Sequence, residues 1–214
     1  MTNNKGFFIT GTDTGVGKTF FTSILLQKFN YDYWKPIQTG NFIDNDTLNL
    51  KKILNSNHIK FHKCSYSLKK PLSPHLASKY QNIIININKI RKPKTFKPLI
   101  VEGAGGILVP LNKKKLIIDL IKKFRLPVII VSKSILGTIN HTLMTIEILK
   151  KNKINIFGVV LNNIKKKKEG DENAKSIEYF GKTKVLVKIP SIKNISKKKI
   201  LNLSNKKSFN KFKL

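Results

Sequence analysis

Residues 6–20, GFFITGTDTGVGKTF, decide the fold. Gly6–Gly11 is a short apolar run ending in glycine, the pattern of a buried strand. Apolar residues then recur at 20, 21, 24, 25 and 29, the spacing of a helix face. Between them stands Thr12-Asp13-Thr14-Gly15-Val16-Gly17-Lys18-Thr19, a P-loop. Its glycines let the backbone turn tightly, so that N–H groups point at phosphate oxygens, and the following helix adds its positive N-terminus. Lys18 would reach the β- and γ-phosphates, and the Thr19 hydroxyl would ligate Mg2+. The strict pattern has Gly at position 12; here Thr stands there, with Gly11 one place earlier.

Outward from that loop the chain alternates strands with helices. Residues 31–37 (YDYWKPI) read as a second strand broken by Pro36, and 44–54 as a helix with cap-type residues at its start. Residues 55–80 read as irregular. The isoleucines of 81–91 suit a strand as well as a helix; the need for a crossover before the next strand favours helix. PLIV (98–101) runs into the glycine turn EGAGG (102–106), 115–124 is a helix, and PVIIVS (127–132) is a strand. A helix over Thr138–Lys151 and strands over 154–161 and 184–189 complete the series. Strands apolar throughout, alternating with helices, predict an α/β fold: a mostly parallel central sheet with helices on both faces, P-loop NTPase-like. Residues 1–192 are expected to form this single domain, and the Lys/Asn-rich tail 193–214 to be partly ordered. In such sheets ligands gather at the carboxyl ends of the strands. Segments 12–19, 35–40, 102–106, 132–140 and 162–163 all fall at that edge.

Composition sets limits on function. The chain has 214 residues and a net charge of +31, which first points to a polyanion partner. Yet 40 of its 42 basic residues are Lys, whereas phosphate and base readers favour the bidentate Arg. Lys, Asn and Ile make up 92 residues against 3 Ala, a skew that A/T-rich codons produce unaided. The runs Lys113–115, Lys165–168 and Lys197–199 read as solvated loops or helix ends, so no specific nucleic-acid partner is expected. One cysteine, Cys64, excludes an internal disulfide framework. The opening MTNNKGFFIT lacks the pattern of a secretory signal, and no run of eighteen apolar residues occurs. A cytoplasmic location without membrane attachment is the expectation.

With only 11 acids, those in motif-bearing segments stand out: Asp13, Asp46 and Glu102. Mg2+ prefers oxygen ligands and a few carboxylates beside the phosphates, so Asp46 and Glu102 are candidate supports, although helix or turn capping would use the same residues. Lys35 gains meaning from its setting, Lys35-Pro36-Ile37-Gln38-Thr39-Gly40, where a second cation could stabilise an anion being phosphorylated. His75, His141 and Cys64 have structural readings, and the Phe residues at 7, 8, 20, 21 and 29 are core by spacing.

Six ordered segments resemble the dethiobiotin synthase family: GTDTGVGKT (11–19), WKPIQTG (34–40), SPH (73–75), VEGAGG (101–106), LGTINHTLMT (136–145) and GVVLNN (158–163). The resemblance implies an ATP- and Mg2+-dependent cyclo-ligase of biotin synthesis. It would join 7,8-diaminopelargonic acid to CO2 through a carbamate and a carbamic–phosphoric anhydride. It also implies roles. Gly15, Val16, Gly17, Lys18, Thr19 and Phe20 hold the phosphates; Thr19, Asp46 and Glu102 serve the metal. Lys35 and Lys18 are the catalytic cations, while Thr14 and Thr39 contact the substrate. Glu102, Gly103, Ala104 and Gly105 face nucleotide and substrate. Asn162 and Asn163 occupy adenine-contacting positions, and Pro190, Ser191 and Ile192 match a later nucleotide loop. Gly137, Thr138, Ile139 and Asn140 would hold the substrate carboxylate from a partner subunit, which implies a homodimer.

There are departures. No acid follows Glu178, and Asn163 stands where an acid is common. A partitioning ATPase would carry a signature Lys early in the loop, where Asp13 stands, and a cobyrinic acid diamide synthase-like amidoligase would need a longer chain.

Overall fold

In the computed structural model, which describes residues 5–214, the run at 6–11 forms strand β1 (Gly6–Gly11), buried along its length. Residues 1–4, where the reading of the chain start and the expected domain begin, lie outside the described residues. The glycine loop leads into α1 (Lys18–Lys28). Next come β2 (Asp32–Trp34), β3 (Ile37–Thr39), α2 (Asp46–Leu54), β4 (Phe61–His62), β5 (Tyr66–Leu68) and α3 (Pro74–Lys79). The second half holds β6 (Leu99–Gly106), α4 (Ile117–Phe124), β7 (Val128–Lys133), α5 (Thr138–Lys151), β8 (Ile156–Ile164), α6 (Lys167–Gly181), β9 (Val185–Pro190) and α7 (Lys197–Ser204).

Seven strands form one sheet in the order β4-β2-β6-β1-β7-β8-β9, every pairing parallel. This is the α/β fold expected from the run of apolar strands. Alternation along β1 feeds two cores: Phe7 and Ile9 pack on the α1 side with Phe21, Leu25 and Leu54, and Phe8 on the other side with Ile121 and Phe124 of α4. Pro36 does more than break the second strand. It ends β2, and β3 leaves the main sheet to pair in parallel with β5.

Three segments differ from expectation. Residues 81–91 are not a helix: beyond a turn they hold only a 3-10 turn at Ile87–Lys89. Asn82 sits at φ 54, and Ile85 and Ile90 enter the core as separate plugs while Ile84 faces solvent. Within the stretch 55–80, read as irregular, β4, β5 and α3 form. Helix α6 carries no large-residue stripe because its buried positions are Gly170, Ala174, Ile177 and Gly181. A Cβ on Gly170 would stand 2.5 Å from Ile164, so the small residues permit close approach of helix to sheet.

The tail carries α7 and a 3-10 turn at Lys207–Phe212. Ile200 and Leu203 of α7, with Phe209 and Phe212 of the following 3-10 turn, are buried in the α1-side core. Phe212 meets Phe21 at 5.3 Å between ring centroids, and its carbonyl accepts from the Tyr31 hydroxyl at 2.7 Å. Burying each such ring contributes about 1.5–3 kcal/mol. The lysine runs at 113–115, 165–168 and 197–199 are exposed, as solvated loop and helix-start residues should be.

Candidate active site

The glycine loop closes over the end of β1. Gly15 (φ 68) and Gly17 (φ 96) adopt left-handed conformations that a side chain would strain. Gly17 also has no room for one, since a Cβ there would stand 2.1 Å from the Asn162 amide nitrogen. Asp13 caps the loop from within, its Oδ1 accepting from the Thr14 N–H at 2.6 Å. Lys18 curls back to donate to the Asp13 carbonyl at 3.2 Å. Burial and then the positive charge of Lys35 lower the Lys18 ammonium from its usual 10.5 to about 8. A bound phosphate would supply the counter-charge it lacks.

Thr19, the first residue of α1 after Lys18, reaches two acids. Its hydroxyl lies 2.7 Å from Asp46 Oδ1 and 2.8 Å from Glu102 Oε1, and having one proton it donates to one at a time. Asp46 opens α2, where the Asn45 side chain caps the helix by accepting from the Leu48 N–H. So the capping role belongs to Asn45, and Asp46 is free to face the loop. Gln38 fixes that approach: its Oε1 accepts from the Asp46 N–H at 3.2 Å and its amide donates to the Thr39 and Asp44 carbonyls. Glu102 comes from the middle of β6 and is 1 % exposed.

Lys35 completes the cluster. Its ammonium pairs with Asp46 Oδ2 and, at 3.3 Å, with Glu102 Oε1. Burial pushes the Lys35 ammonium down, but the charges of Glu102 and Asp46 outweigh it, and the net shift is upward. Lys35 therefore stays a cation at 5 % exposure. Behind the acids, the Tyr33 hydroxyl donates to Glu102 Oε2 at 3.3 Å. Burial, then Glu102 and Asp46, raise that phenol well above its usual range.

Among the described residues no three His, Cys, Asp or Glu side chains gather as a metal cage. What gathers instead is a hydroxyl and two carboxylates beside a phosphate-type loop. That donor set fits Mg2+, which takes oxygen ligands and shares its shell with phosphates and water.

The cluster floors a cavity of about 720 Å3 whose walls include Thr14, Lys18, Lys35, Thr39, Leu72 and Val109. Gly15, Gly17, Thr19, Asp46, Glu102, Ala104 and Gly105 also line it. Gly103 does not; it passes 3.0 Å from the Phe8 ring, measured to a notional Cβ. Val16 is buried and Phe20 packs against the α1-side core. Asn162 lies under the loop, its amide donating to the Val16 carbonyl at 2.9 Å. Asn163 (φ 60) and Pro190–Ser191–Ile192 stand on the β8/β9 side of the loop, outside the cavity, with the Ser191 N–H donating to the Ile164 carbonyl. Gly137, Thr138, Ile139 and Asn140 open α5 and also lie outside it. There Gly137 and Asn140 are exposed, and Thr138 is buried against the Ser132 hydroxyl at 2.7 Å. His75 accepts or donates at 3.1 Å to Ser73 and does not line the cavity.

Sequence reasoning missed Gln38 and Tyr33 as supports. Both lie inside the YDYWKPIQTG stretch around Lys35, and their polar side chains in a buried segment were the available signal.

A family profile described as an AAA domain matches residues 5–199. A protein of Lawsonia intracellularis named ATP-dependent dethiobiotin synthetase BioD is 46% identical over 197 residues, covering 92% of this chain and 93% of that protein. Its namesake from Paramagnetospirillum magneticum is 41% identical over 199 residues, covering 93% and 94%. Among solved structures, a ParA family ATPase from Chlorobium tepidum aligns with a TM-score of 0.59 at 12% identity, covering 98% of this chain and 96% of that one. The MinC:MinD cell division complex of Aquifex aeolicus aligns at 0.54 and 15% identity, covering 94% and 86%. At such identities the structural likeness shows the fold alone.

Proposed function

The chain belongs to the family of ATP-dependent dethiobiotin synthetases, and on that premise we propose how its residues divide the work of an ATP-dependent ligase of biotin synthesis. One amine of 7,8-diaminopelargonic acid adds to CO2, losing a proton, to give a carbamate. A carbamate oxygen attacks the γ-phosphorus of ATP and ADP departs. The second amine then attacks the carbonyl carbon, the C–O bond to phosphate breaks, and dethiobiotin and inorganic phosphate are released with a proton.

One observation carries this reading: two buried cations, Lys18 and Lys35, and a hydroxyl–dicarboxylate set meet at the floor of one cavity. Its volume, about 720 Å3, is that of a small-molecule pocket rather than of a phosphate alone. Two anions, carbamate and γ-phosphate, must approach each other, and fixed cations offset their repulsion. Lys18 and the N–H groups of the glycine loop hold the phosphates. Thr19, Asp46 and Glu102 would hold Mg2+, which would supply positive charge to offset that of the phosphates. Lys35 turns from Asp46 toward the carbamate. Thr14 and Thr39 hold the diamine so that both nitrogens stay near one carbon, which makes ring closure intramolecular.

The nucleotide base lies across the loop from the diamine, over Asn162, Asn163 and Pro190–Ser191–Ile192. The carboxylate end of the substrate is held by Gly137–Thr138–Ile139–Asn140 of a second copy, since in one copy these residues do not reach the cavity. Exposed Leu136 and Met144 on and beside α5, with Phe180 of α6, supply apolar surface for such a homodimer. The reaction is assigned to the cytoplasm, with no specific nucleic acid involved. No helix among the described residues is long and apolar enough to cross a bilayer.

The test is phosphate release from purified protein given ATP, Mg2+ and bicarbonate, with and without 7,8-diaminopelargonic acid. Diamine-dependent release with formation of dethiobiotin supports the assignment. Folded protein that binds ATP but releases no phosphate on adding the diamine contradicts it.

A further inference from the structure

The two oxygens of Glu102 face different partners. Oε1 lies toward the cavity, where it accepts from Thr19 and Lys35; Oε2 turns inward to the Tyr33 hydroxyl at 3.3 Å. Tyr33 is fully buried and contributes nothing to the cavity wall. One phenolic oxygen thus ties β2, which carries Tyr33, to Glu102 of β6.

The tie answers a physical need. Two ionised carboxylates that meet at one hydroxyl repel each other. Lys35 offsets this from the front, but it hangs on a flexible stem and the proposed reaction turns it toward the carbamate. The Tyr33 ring is held from below, 5.7 Å from the Phe61 ring and edge-on to it. A buried aromatic with a satisfied hydroxyl makes a rigid strut.

We infer that Tyr33 is a positioning residue for the metal site: its hydroxyl sets the orientation of Glu102. The inference rests on the reading of Thr19, Asp46 and Glu102 as the Mg2+ ligands. Tyr33 touches neither nucleotide nor diamine; it acts through Glu102.

Mn2+, a paramagnetic stand-in for Mg2+, is titrated into the protein at saturating ADP and followed by electron paramagnetic resonance, for the unsubstituted chain, Tyr33→Phe and Phe61→Leu, which removes the ring that seats Tyr33. Phenylalanine keeps the ring and removes only the hydroxyl. Tyr33→Phe raises the Mn2+ midpoint about tenfold, the range carried by a hydrogen bond to a charged group, and Phe61→Leu roughly threefold by loosening the ring. ADP affinity without metal stays at the unsubstituted value. An unchanged midpoint in Tyr33→Phe, or an equal loss of metal-free ADP binding, overturns the inference. Should Tyr33→Phe fail to fold, Phe61→Leu decides, and an unchanged midpoint there overturns it. No Mn2+–ADP complex with the unsubstituted protein overturns the metal-site reading, and the inference with it.

Discussion

The two flanks of the glycine loop are built from opposite materials. On the β2/β6 flank, Lys35, Asp46 and Glu102 form an ion cluster with Lys35 and Glu102 almost wholly buried. On the β8/β9 flank stand the amides of Asn162 and Asn163 and the segment 190–192, and no carboxylate follows Glu178 in the chain. Charges are costly to bury, so a fold keeps them inside where their interactions change during a reaction. Amides and backbone suffice where a neutral ring need only be seated. Under the proposed function, chemistry falls to one flank and the seating of the base to the other.

The largest expected effect would break that contrast if it failed. Lys35→Ala lowers turnover by about a hundred- to a thousandfold while Mg2+–ADP affinity holds within a few-fold, measured by steady-state kinetics and calorimetry. It also leaves Asp46 and Glu102 facing each other. The metal-free variant therefore loses about 3 kcal/mol of stability, and Mg2+ with ADP stabilises it by about the same increment as the unsubstituted chain. On the opposite flank, Asn162→Ala strips the Val16 carbonyl of its donor and weakens ATP binding about tenfold, with turnover at saturation little changed. If it lowers turnover as Lys35→Ala does, the division of labour is wrong.

A third effect comes from Lys18, whose ammonium is held down to about 8. The free protein carries the cost of that buried charge in full below pH 8 and sheds it as pH rises toward 10.5. Phosphate favours the charged form, so above pH 8 nucleotide binding takes up a proton and affinity falls as pH rises. Calorimetry in buffers of different ionisation enthalpy measures that uptake. The smallest effect lies at the exposed surface. Asp171→Asn removes the surface pairs to Lys167 and Lys188 and leaves the thermal midpoint and turnover unchanged.

The contrast between flanks also marks what could be read from sequence. Where a residue type is demanded by backbone geometry or charge, it was legible: Gly15 and Gly17 in the loop, Asp46 and Glu102 in a chain poor in acids, the all-apolar strands. Three features were not. Helix α6 packs through Gly170, Ala174 and Gly181, which carry no hydrophobic signal though their spacing is helical. The isoleucines of 81–91 look periodic, but Ile85 and Ile90 are anchored one at a time on an irregular path turned by Asn82. The tail resembles its lysine-rich surroundings, and Phe209 and Phe212 dock only because α1 leaves an apolar groove that the tail's own sequence does not describe. Tyr33 and Gln38 escaped notice because supporting a charged residue leaves no motif.

The route of one oxygen atom tests the central claim most directly. With 18O-labelled bicarbonate, unlabelled ATP and the diamine, attack by the carbamate on the γ-phosphorus carries one labelled oxygen into the released phosphate. Mass spectrometry of that phosphate should show one 18O per molecule, formed in step with dethiobiotin. Phosphate released without label, through attack by water, would contradict the account.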